Sequence, residues 1–180
     1  MLFRSVSQSR YGKLFIVQDQ SVLASYKNGA IVRKTRMSDV KYIASRLRKA
    51  DLIELKANSP SSPDVALMNS VWLSNPCYTI CLYGEPIALF GLCPQKEVGV
   101  IWMMGTDKVL HIKQTFLRAS KEWLNYFLEL KPVLFNFIHE KNTLHIKWLR
   151  WLGFSIINKW ENFGTNGETF YEFVKIKKYV

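Results

Sequence analysis

His139 and Glu140 stand side by side, and an imidazole next to a carboxylate is the composition of a general acid–base pair. Neighbours on a strand point to opposite faces, however, and no activated nucleophile adjoins the pair. The two therefore read as polar residues at the end of an element. His145 falls on a predicted helix, and His111 lies between a strand and a helix. The cysteines, Cys77, Cys81 and Cys93, are odd in number and lack metal-ligand spacing. They read as buried thiols in a reducing compartment, and no metal site, cofactor site or catalytic residue is expected. The remaining chemistry is charge. Arg4, Arg10, Lys13, Lys27, Arg33, Lys34 and Arg36 face the single acid Asp19 over residues 1–36, a net +6. These seven cations are the candidate contacts to an acidic protein surface or to DNA. Basic and aromatic residues also interleave in Lys147-Trp-Leu-Arg-Trp151 and in Lys175-Ile-Lys-Lys-Tyr179. No helix-turn-helix, zinc-finger or RNA-recognition signature accompanies them, so any contact with DNA is nonspecific.

The chain that positions these groups has 180 residues and a net charge of +11, with 48% apolar and 14% aromatic residues. That composition fills a core and excludes wholesale disorder. No apolar run of about 18 residues exists, so no membrane-spanning helix is expected. The first ten residues lack the apolar stretch and cleavage site of a secretory signal.

Residues 14–17, 22–26 and 30–33 read as short strands, with Asn28-Gly29 suited to a type I′ turn. They predict a basic hairpin or meander, with residues 1–30 an extension ahead of a main domain over 31–180. That extension has too little apolar surface for its own core, so it packs on the domain or on a partner. Ser38-Asp39 predicts a cap for a helix from about residue 40, with Lys41, Arg48 and Lys49 on its polar face. Helical pieces follow over 51–57 and 64–73, separated by a Ser/Pro-rich loop. The period then changes: 77–83, 86–92 and 98–104 predict buried strands. Gly105-Thr-Asp107 leads into a long helix whose stripe runs from Val109 to Leu130. A strand over 133–138, a helix from Asn142 to Gly153 and a last strand pair complete an α/β (α+β) order with a mixed central sheet flanked by helices.

This order and the segment Asn142-Thr-Leu-His-Ile-Lys-Trp-Leu-Arg-Trp-Leu-Gly153-Phe154 resemble the GCN5-related N-acetyltransferase (GNAT) fold over residues 31–176. In that family an Asn caps this helix and a Gly turns the chain into the next strand. The family's acyl-CoA pyrophosphate rests on amides of a glycine-rich loop. The matching stretch here, Gly105 to Lys113, holds one glycine and places Asp107 where it would repel phosphate. Leu149 stands where many members place a tyrosine proton donor, and the strand at 98–104 carries no acid beyond Glu97 at its start. The blocks Arg36-Met-Ser-Asp39, Asp51-Leu-Ile-Glu-Leu-Lys-Ala57, Leu82-Tyr-Gly-Glu-Pro-Ile-Ala-Leu-Phe-Gly91, Trp102-Met-Met-Gly-Thr-Asp107 and Asn142-Thr-Leu-His145 are similar to small internal virion proteins of short-tailed, podovirus-type phages. That resemblance implies a non-enzymatic structural or assembly protein with a degenerate GNAT-like domain. It would dock onto portal, tail or internal core proteins and reside in the virion, and in the host cytoplasm during assembly. An active acetyl-CoA-dependent N-acyltransferase is the alternative.

Overall fold

A computed structural model describes residues 22–178. The expected strand at 14–17 lies outside them. Eight strands form one mixed sheet in the order β1-β2-β3-β4-β5-β6-β8-β7. The elements run β1 Val22–Ser25, β2 Ala30–Lys34, α1 Met37–Ala44, α2 Lys49–Asn58, α3 Pro63–Leu73, β3 Cys77–Leu82, β4 Glu85–Pro94 and β5 Val98–Gly105. A 3₁₀ helix over Asp107–Ile112 then leads into α4 Lys113–Leu130, β6 Val133–His139, α5 Thr143–Trp151, β7 Ser155–Trp160 and β8 Phe170–Ile176. Every pair of neighbouring strands is antiparallel except β5 and β6, which α4 joins as a crossover.

Two layers cover the sheet. On one face Leu124, Phe127, Ile146 and Leu149 of α4 and α5 pack on Ile80, Phe90, Leu92 and Leu134. On the other, Val40, Ile43 and Leu67 of α1 and α3 pack on Leu89, Trp102 and Met104. Leu89 and Phe90 reach opposite layers because successive strand side chains alternate.

Several local expectations change. Lys27, Asn28 and Gly29 make a three-residue loop, with Gly29 N–H donating to Tyr26 O (3.0 Å) and Tyr26 N–H to Ala30 O (2.8 Å). Only Gly29 there has a positive φ, of 80°. This is a type I turn closed by a left-handed glycine, not type I′. The two-residue turn with both φ positive is Tyr83-Gly84, between β3 and β4. The boundary expected at residue 30 passes through the first hairpin, and Ala24 of β1 is buried in the shared core. Asp39 is the third residue of α1, not its cap: its carboxylate accepts the Arg36 N–H at 2.9 Å. The chain after Gly105 forms the 3₁₀ helix first, so α4 starts later than its apolar stripe suggested.

Candidate functional site

β5 and β6 pair through only three positions, Val98–Val133, Gly99–Leu134 and Val100–Phe135. The strands then diverge, and Asn136 Nδ2 donates to Ile101 O (2.9 Å) across the opening. Between them lies a cavity of about 320 Å³, lined chiefly by apolar side chains including Met103, Phe116, Ile138 and Trp148.

Glu54 and His145 bring polarity to this cavity. They belong to a cluster set on the first turns of α2. Arg48, Asp51 and Glu54 are spaced by three, which puts them on one side of the helix. Arg48 grips Asp51 with Nη2–Oδ1 at 2.7 Å and Nε–Oδ2 at 3.1 Å. Asp51 Oδ2 accepts the Gly105 N–H (2.8 Å), and the Arg48 N–H donates to Gly105 O (2.9 Å). α2 is thereby tied to the end of β5. Arg48 Nη2 also lies 3.0 Å from His145 Nε2. Guanidinium can only donate, so Nε2 accepts and the ring is neutral. Burial agrees with this, lowering His145 to about 4. Asn142 Nδ2 donates to Glu54 Oε2 (2.8 Å). Burial, reinforced by nearby Asp51, pushes Glu54 up to about 7 against the opposing bonds from Asn142 and the His139 backbone. A carboxyl poised near neutrality beside an apolar cavity is able to exchange a proton with a bound group.

The place where the fold family holds an acyl-CoA pyrophosphate does not fit that group. Gly105 N–H is taken by Asp51, and Thr106 N–H donates to Ile87 O at 2.8 Å. Val109 N–H and Lys113 N–H close 3₁₀ turns onto Thr106 O and Leu110 O. A Cβ on Gly105 would meet Val109 Cγ2, Ala88 Cβ and Ile87 O within 3.1 Å, so this glycine serves close packing. Asn28 Nδ2, from the first hairpin, donates to Thr115 Oγ1 in the first turn of α4 (2.9 Å). Asp107 is exposed in the 3₁₀ turn, Leu149 is buried without a proton to donate, and Glu97 is exposed ahead of β5.

The structure scatters the residues singled out from sequence. Arg4, Arg10 and Lys13 lie outside the described residues. Lys27 sits exposed in the first turn, Lys34 exposed at the end of β2, and Arg36 exposed before α1. Arg33 is a correction: it is buried, with Nη1 and Nη2 on the Asp39 carboxylate at 2.7 and 2.8 Å, and presents no surface charge. Its place on β2 opposite Thr79 turns it into the core, where Thr79 Oγ1 donates to the same carboxylate (2.8 Å). Arg48, expected on a solvated face, is also buried. His139 is buried, with Nδ1 accepting the Lys141 N–H (3.1 Å) and its ring edge on Phe170. Cys81 is buried, Cys77 and Cys93 are half-buried, and all three are free. Among the described residues no cluster of His, Cys, Asp and Glu is arranged to hold a metal ion. The Arg48–Asp51–Glu54 set was missed, although its spacing by three was the available signal.

No family model matches the sequence. The probable scaffold protein gp13 of Escherichia phage T7 is 30% identical over 109 residues, covering 57% of this chain and 70% of that protein. The chain belongs to the family of this phage protein. Members of an enzyme fold stand beside it in three dimensions. Ard1 from Thermoplasma volcanium superposes with a TM-score of 0.66 at 11% identity, over 84% of this chain and 99% of its own. Spermidine N-acetyltransferase from Vibrio cholerae gives 0.63 at 10% identity, over 83% and 96%. The ribosomal-protein-S18-alanine N-acetyltransferase from Escherichia coli gives 0.62 at 16%, over 84% and 96%. This phage family member thus has the GNAT fold, and at such identities the likeness is one of fold alone. Among its described residues no helix is long and apolar enough to cross a membrane.

Proposed function

We propose that the protein is a non-catalytic structural or assembly component of a phage particle, of the small internal virion type, working through contacts with portal, tail or internal core proteins. It would act in the host cytoplasm during assembly and in the virion. The kinship with the T7 scaffold protein carries this reading. The internally occupied amides of Gly105, Thr106, Val109 and Lys113 support it, because a pyrophosphate placed on them would have to displace the protein's own hydrogen bonds. The basic N-terminal residues Arg4, Arg10 and Lys13, with Lys27, Lys34 and Arg36, are the proposed docking charges. Deleting residues 1–21 leaves every described strand in place, whereas deletion through residue 30 would remove buried Ala24. Particles assembled with the shorter deletion should lack the protein; normal incorporation would overturn the docking role of Arg4, Arg10 and Lys13.

A second reading, an active acetyl-CoA-dependent N-acyltransferase, is favoured by the open cavity and by Glu54. Calorimetry with acetyl-CoA separates the two. The structural reading expects no binding, and micromolar binding competed by CoA would overturn it.

A further inference from the structure

The outer side of α5 carries cations and apolar groups and no acid: Leu144, Lys147, Arg150 and Trp151 are all exposed. α5 is held on α4 by Trp148, whose ring lies 5.1 Å from Phe116 and whose Nε1 donates to Ser120 Oγ (3.3 Å). That packing brings Lys121 of α4 over the Trp151 ring, 4.3 Å from its centroid. Arg118, one turn earlier on α4, is exposed as well. Among the described residues none of Arg118, Lys121, Lys147 and Arg150 is held in an ion pair. Lys121 thus lies on an indole that is 47% exposed, with three more exposed cations on the same two helices.

We propose that this α4–α5 face binds single-stranded nucleic acid without sequence preference. The cations would meet phosphates and release their counterions, while Trp151 offers a surface for one unpaired base. A duplex hides its base faces and would use only the charges. An acidic protein surface would satisfy the cations but leave the indole without a matched partner. The inference is independent of the assembly role, since it rests on the folded domain and not on the N-terminal arm.

Fluorescence anisotropy of a labelled single-stranded 20-mer with the full-length protein tests it. Four phosphate contacts predict a log–log salt slope of about −3, or roughly 50-fold weakening between 50 and 200 mM salt. The double variant K147E/R150E should bind at least about tenfold more weakly and show a slope shallower by about 1.4. W151A should lose about tenfold on the single strand and little on the duplex. All these side chains are exposed, so equal thermal unfolding of the variants confirms intact folds. Unchanged binding in both variants would place the contact elsewhere, on the N-terminal arm for instance, and overturn the proposal. Absence of binding at 50 mM salt would overturn it too. So would a poly-glutamate peptide of equal charge binding as tightly as the DNA.

Discussion

Glu54→Gln probes the polar cluster beside the cavity most directly. In the folded protein Glu54 keeps its proton up to about pH 7, against an ordinary value of 4.5. Between those values the folded state binds more protons than the unfolded chain, so stability falls as pH rises through that window. His145 does the reverse. The unfolded chain protonates it below 6.5 and the folded state only near 4, so stability falls as pH drops through that range. From about 4.5 to 6.5 the two slopes oppose each other and nearly cancel. Conversion at about 1.4 kcal/mol per pH unit puts the Glu54 penalty above neutrality near 3 kcal/mol, and residual solvent at the cavity mouth trims it to about 2. Glutamine removes the penalty while its Oε1 still accepts from Asn142 Nδ2. The variant should therefore gain about 2 kcal/mol at pH 8. It should also expose the His145 slope, losing stability steadily below pH 6.5. Urea unfolding at several pH values from 5 to 8 reads both effects. A variant no more stable than the parent at pH 8, or one that keeps the parent's flat profile, would refute the assignment of a half-buried, proton-holding Glu54.

Substitutions at three further sites test how the fold is held. R33A strands the Asp39 carboxylate, whose side chain is 4% exposed, and should lose about 3–5 kcal/mol in urea unfolding. R33A/D39A should lose less than R33A alone, because no unpaired charge remains. G29A should cost about 2 kcal/mol, since the residue has φ of 80° and its Cβ would meet the Tyr83 ring at 2.2 Å. Removing that ring in G29A/Y83A should recover the steric part, seen as a non-additive double-mutant cycle. F127A should cost about 3–5 kcal/mol, because Phe127 is 1% exposed and packs against Tyr78, Phe90 and Tyr126.

Much of the architecture was readable along the chain because it is written in local periods. Of the expected stripe, Phe116, Trp123 and Phe127 face the core while Tyr126 and Leu130 are exposed, and the apolar runs at 77–83 and 86–92 became β3 and β4. Gly153 ends α5 as expected, at φ 83°, and Asn142 stands at its start, but the Asn142 side chain makes no cap bond and reaches Glu54 instead. The turn geometries were less legible. Asn-Gly suits type I′, yet Lys27 adds a third loop residue and changes the turn, while Tyr83 accepts a positive φ that its type does not advertise.

Charge type and count belonged to the sequence; charge placement did not. Composition alone established a basic protein with a full core and a +6 leading segment, and local spacing alone established helices, strands and their order. Whether a given cation serves the surface or the interior depends on what lies across from it in space. Arg33 meets Asp39 and Thr79, and Arg48 meets Asp51 and His145, through sheet register and helix packing that join residues up to 97 positions apart. The same reason governs the site. Glu54 and His145 look ordinary along the chain, and only the convergence of α2 and α5 beside the opening between β5 and β6 removes enough water to move their proton affinities in opposite directions.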